Sequence, residues 1–60
     1  MVIGDLVRFK FNFELDSGKF IKSGDLGIIE SKAMWYSHVL HIGSGEYITT
    51  KQRSIEKLEI

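Results

Sequence analysis

The 60-residue chain contains no cysteine and no proline. The first absence removes disulfide staples and thiolate metal sites, so a domain near the lower size limit for autonomous folding must rely on packing. The second leaves every strand free of a residue that cannot donate to a ladder. Net charge is also missing: eight basic side chains meet eight acidic ones, five against five in residues 1–33 and three against three in residues 34–60. A surface that tracks phosphates normally shows as a basic excess, which makes nucleic acid the lesser expectation. No uninterrupted apolar run is long enough to span a bilayer. No basic leader followed by an apolar run opens the chain, so no signal peptide is expected. These absences lead to the expectation of a soluble, cytoplasmic protein with no membrane partner.

What is present is a supply of large apolar groups. Apolar residues make up 43% of the chain, which is ordinary for a globular domain and too rich for disorder. Phe9, Phe11, Phe13, Phe20, Trp35, Tyr36 and Tyr47 are the aromatic members. Each can bury about 150–250 Å², enough for a short chain to build a core.

The periodicity is that of strands. From Val7 to Leu15 apolar and polar residues alternate strictly, which predicts a strand with one buried face. Asp16-Ser17-Gly18-Lys19 is a cluster of turn formers, after which Phe20-Ile21-Lys22 can pair back on the first strand. Ser23-Gly24-Asp25 predicts a second turn and residues 26–32 a second long strand. Gly27 within it suggests a bulge or a close approach of another backbone. Trp35 to Ile42, the turn Gly43-Ser44-Gly45 and the return Glu46 to Thr50 read as a hairpin. Lys51 to Ser54 is a polar connection with room for one 3₁₀ turn. Ile55 to Ile60 reads as a last strand whose edge Glu56, Lys57 and Glu59 would blunt. The pattern predicts one domain over residues 1–60, an all-β, five-stranded small barrel. Its expected core is Val7, Phe9, Phe11, Leu26, Ile28, Val39, Leu40, Ile48, Ile55 and Leu58.

Chemically reactive residues crowd into 35–50. His38 and His41 are three apart in a strand and so fall on opposite faces, which prevents them from chelating one ion together. No metal or other cofactor is expected. Either histidine, coupled to Ser37, Ser44 or Asp25, could form a catalytic dyad, but so small a barrel leaves little room for a concave pocket, and an enzyme is not expected. Trp35 and Tyr36 are neighbours, so one should pack inward and the other either stay exposed for recognition or cover the end of the barrel. Tyr47 and Phe13 complete the candidate partner-binding set; Phe13 and Leu15 either pack under the first hairpin or stay partly exposed as a route to a homo-oligomer. Arg8, Lys10, Lys19 and Lys22 are the basic residues that could share a surface with nucleic acid. Phe9 and Phe11 should point away from that surface, into the core.

The segments IGDLVRF (3–9), SGDLGIIES (23–31), WYSHVLHIGSG (35–45) and SIEKLEI (54–60) resemble the small SH3-like proteins of tailed bacteriophages. The likeness covers nearly the whole chain, through a Gly-Asp opening, a Gly24-x-x-Gly27 second strand and an Ile-Glu-x-Leu ending. The resemblance implies an SH3-like barrel with an RT-type loop at about residues 12–25 and a distal hairpin at 43–45. It also implies a phage-encoded, non-enzymatic protein-binding or adaptor module in the host cytoplasm. These motifs mark a fold and carry no catalytic residue. The alternative is a nucleic-acid module of the KOW or Tudor sort. KOW modules share the Gly-Asp opening and the second-strand glycine, here Gly27. Peptide-binding SH3 domains are a more distant likeness: VRFKF stands where their Ala-Leu-Tyr-Asp-Tyr run would lie.

Overall fold

Residues 1–58 are described by the structure, a computed structural model. The first strand, β1 (Leu6–Phe9), follows its alternation, with Val7 and Phe9 inward and Arg8 outward. It does not continue to Leu15. Gly24 N–H donates to the Phe9 carbonyl and Lys10 N–H to the Ser54 carbonyl, each at 2.8–2.9 Å. The Asn12 carboxamide accepts from Ser23 N–H at 2.6 Å, and Ser23 Oγ donates to the Lys10 carbonyl at 3.0 Å. These bonds turn the chain out of the ladder, and Phe11, expected in the core, is 57% exposed. The chain resumes as a short hairpin of β2 (Phe13–Glu14) and β3 (Phe20–Ile21). Gly18, at φ +86°, sits in its turn, where a side chain would be strained.

The remaining strands are β4 (Leu26–Lys32), β5 (Tyr36–His41), β6 (Tyr47–Lys51) and β7 (Ile55–Lys57), with a 3₁₀ turn at Gln52–Ser54 before the last. They form one antiparallel five-stranded sheet in the order β6-β5-β4-β1-β7, beside the two-stranded β2-β3 sheet. The protein is therefore all-β, and no helix among the described residues is long and apolar enough to cross a membrane. The expected final strand stops at Lys57. The edge-blunting role of Glu59, and the strand's continuation to Ile60, lie outside the described residues.

The core consists of Val7, Phe9, Ile21, Ile29, Val39, Ile48 and Ile55, with Phe13 and Leu15 packed against it. Five of the ten expected core residues are in it. Besides Phe11, Leu26 is exposed, while Ile28, Leu40 and Leu58 are half-buried. In β4 the inward positions are Gly27 and Ile29, one residue out of step with expectation, because Gly27 lies where β4 passes over Phe9 and Val39. The β4–β5 register then shifts between Ile29 and Ser31, so the irregularity sits at Glu30 and Gly27 serves close packing.

Ser37 is fully buried in β5 and, among the described residues, its hydroxyl has no hydrogen-bond partner. A buried polar group left unpaired costs about 1–3 kcal/mol. Ser37→Ala removes that hydroxyl without opening a sizeable cavity, and urea denaturation should show a stability gain of about 1 kcal/mol. A loss of stability would mean that the hydroxyl is satisfied in solution.

Candidate functional site

The segment between β4 and β5 sets the first site. Ala33 N–H donates to the Tyr36 carbonyl at 2.8 Å, closing a tight turn with Met34 and Trp35 at its tip. Trp35 therefore precedes the strand, and alternation does not govern it. Contrary to the expectation that one of the pair packs inward, both rings are exposed: Trp35 at 72% and Tyr36 at 42%. Gln52 fixes the opposite wall. Its side-chain amide donates to the Ala33 carbonyl at 3.1 Å and its backbone N–H to the Trp35 carbonyl at 3.3 Å. The result is a groove of about 610 Å³ lined by Met34, Trp35, Tyr36, Lys51, Gln52 and Arg53. Three large apolar side chains and two cations face it, and among the described residues its lining contains no acid.

Tyr47 and Phe13, the other members of the candidate set, are not part of that groove. They border a second one, of about 700 Å³, between the β2–β3 hairpin and β6. Phe13 packs edge-on against Phe9, ring centroids 5.7 Å apart, whereas Tyr47 is as exposed as Trp35. The candidate set is thus split between two faces.

The basic residues are also divided. Arg8 forms an ion pair with Glu56 across the β1–β7 ladder, and Lys19 pairs with Glu46 at 2.9 Å. Lys10 and Lys22 are exposed and, among the described residues, have no acidic partner in ion-pair range. Phe11 does not point to the core as expected but out to solvent.

The histidines fall on opposite faces. His38 is exposed and its Nδ1 lies 2.8 Å from the Thr49 hydroxyl. His41 is buried, its ring edge-on to Phe9. Its Nδ1 accepts from Ser44 N–H at 3.1 Å and lies 2.7 Å from Ser44 Oγ. An acceptor Nδ1 assigns the proton to Nε2, which donates to Asp25 at 3.0 Å. The Ser44–His41–Asp25 series has the residue types of a nucleophilic triad. Here, however, the Nδ1 lone pair is shared between the amide and the hydroxyl of the same serine, and Ser44 Oγ also accepts from Glu46 N–H at 3.2 Å. The series works as a clamp joining the 43–45 turn to the 22–25 turn. Among the described residues no group of three or more histidine or acidic side chains is placed to hold a metal ion.

The Lys22 backbone N–H, followed by His41, holds the Asp25 carboxyl below its ordinary value. A depressed folded-state pKa contributes stability that is complete above the unfolded value of about 4 and lost as pH falls through the folded one. Urea midpoints should therefore drop below about pH 4, and Asp25→Asn should shrink that drop while lowering the midpoint at neutral pH. An unchanged acid limb in the variant would remove Asp25 from the clamp.

Comparison of the chain with models of known families, with characterised proteins and with solved structures yields no match. The functional reading rests on geometry. Met34, Lys51, Gln52 and Arg53 are the site residues that sequence reasoning missed. The pairing of Tyr36 with Lys51 across β5 and β6 and the Gln52 bonds bring the polar 51–54 segment beside Trp35, and nothing in the spacing announces it.

Proposed function

We propose that the chain is an SH3-like barrel that serves as a non-enzymatic protein-binding or adaptor module, with the Trp35 groove as its recognition face. The strand order β6-β5-β4-β1-β7 supports the barrel, as do the hairpin inserted between β1 and β4 and the 3₁₀ turn before β7.

The observation that carries the functional reading is the exposure of Trp35, the single tryptophan, beside an 81% exposed Met34. Fully burying a large apolar side chain is worth about 1.5–3 kcal/mol. That is a large fraction of the net stability, about 3–5 kcal/mol, that a core of this size supplies. A small domain that leaves its largest side chain outside the core, on a wall held by Gln52, has placed it for a partner. Tryptophan, tyrosine and arginine are also the residues that dominate interface energetics. The groove's two cations, with no acid among the described lining residues, select an extended protein segment carrying apolar and acidic side chains.

Affinity capture from host lysate, with and without nuclease, tests the reading. The expected result is a protein retained by the wild type after nuclease, released as salt rises, and lost with Trp35→Ala. Material that disappears with nuclease would favour the KOW- or Tudor-like alternative, with Lys51 and Arg53 beside the aromatics as its contact. Capture of nothing in either condition counts against both.

A further inference from the structure

The second groove has a different construction. Among the described residues, one wall is β6, which pairs only with β5, and the other is β2, which pairs only with β3. Both strands therefore present a free edge, and among the described residues no backbone hydrogen bond joins them. The alternation of antiparallel ladders identifies which groups are free. His41 N–H donates to the Glu46 carbonyl, so with the register Leu40 to Tyr47 and His38 to Thr49 the N–H and C=O of Tyr47 and Thr49 point away from β5. In the hairpin, Leu15 N–H donates to the Lys19 carbonyl, so with Glu14 opposite Phe20 the backbone groups of Glu14 point away from β3. Phe13, Leu15 and Ile48 supply apolar surface in the groove. Among the described residues its charged lining is Glu14, Asp16 and Glu46. The cation that reaches them, Lys19, is taken by Glu46.

We propose that this seam is a strand-addition slot: an extended segment of a protein partner, alternating apolar and basic side chains, enters between β2 and β6. It would pair its backbone with Tyr47 and Thr49 on one side and Glu14 on the other. Strand addition draws affinity from main-chain bonds and specificity from side chains on alternate positions. The apolar side chains meet Phe13, Leu15 and Ile48, and the basic ones meet Glu14 and Asp16. The slot is independent of the Trp35 groove, differs from it in charge sign, and would stand if that groove bound nothing.

The probe is a short fluorescein-labelled peptide alternating valine and lysine, followed by anisotropy, with a valine–glutamate peptide as its charge reverse. N-methylation of alternate peptide amides removes donors from one edge at a time without touching the protein. The lysine peptide should bind, and methylating either alternate set should weaken it at least about tenfold, because a strand held on both sides presents one set to β6 and the other to β2. The glutamate peptide should not bind. Glu14→Lys should reduce lysine-peptide affinity, and Trp35→Ala should leave it unchanged. Thr49→Pro removes one outward N–H from an edge strand that can accept proline, and its melting curve shows whether it still folds. The proposal is overturned if the lysine peptide fails to bind, if either methylated set binds as tightly as the unmethylated peptide, or if the glutamate peptide binds as well. A wild-type dimer that Glu14→Lys or Thr49→Pro dissociates would put a second copy in the seam and also overturn it.

Discussion

Gly27→Ala should cost about 2–3 kcal/mol, most of the stability available to a domain of this size. The position is inward-facing in β4 and its backbone φ is unexceptional, so the penalty is one of space. A β-carbon there falls well inside van der Waals contact with Val39 Cγ1, 3.0 Å from the Leu40 carbonyl oxygen and 3.2 Å from the Phe9 ring. Val39 is fully buried and β-branched, so its methyl cannot swing aside, and the Leu40 carbonyl belongs to the backbone of the paired strand. Urea denaturation should show a large fall in midpoint. Val39→Ala removes the clashing methyl: alone it costs about 2 kcal/mol, but in the Gly27→Ala background it should cost far less, a coupling of at least about 1 kcal/mol. Strictly additive effects would show that the β4–β5 crossing is looser than described.

Phe9→Ala should be the most damaging single truncation, at about 3–5 kcal/mol. Phe9 is fully buried, packs edge-on against both Phe13 and His41, and borders Gly27. Its removal opens a cavity that touches β1, β4, β5 and the hairpin together. Circular dichroism at room temperature should show a mostly unfolded chain, while Phe9→Leu should remain folded with a lower midpoint. A Phe9→Ala protein melting within a few degrees of wild type would place the core elsewhere.

The fold class was legible because strand periodicity and turn chemistry agreed along most of the chain. Val7 and Phe9, the 43–45 turn and the 3₁₀ turn at Gln52–Ser54 lie where the residues point. The register of β4 was not legible, because Leu26-Gly27-Ile28-Ile29 offers apolar side chains on both faces. A one-residue slip then exchanges every side chain between core and solvent, and only the tertiary need for a glycine against Phe9 and Val39 decides between them. The alternation through Phe11 misled for a related reason. Asn12 and Ser23 bond to the backbone across the neck of the long loop, which local pattern does not reveal.

At the candidate site, strand alternation separated His38 from His41 but failed for Trp35 and Tyr36, since Trp35 belongs to the turn closed by Ala33 and Tyr36. The aromatic half of the groove was therefore visible in the sequence and its polar half was not. Lys51, Gln52 and Arg53 reach Trp35 only through strand pairing and the Gln52 bonds.

The affinity of a captured protein partner for two alanine variants, Trp35→Ala and Phe20→Ala, decides where recognition occurs. Both side chains are large and exposed, and Phe20 lies outside the groove. Isothermal titration should show at least about a thirtyfold loss for Trp35→Ala, the scale of an interface hot spot, and near-wild-type binding for Phe20→Ala. Full affinity in Trp35→Ala, with the loss falling on Phe20→Ala, would place the recognition face on the hairpin instead.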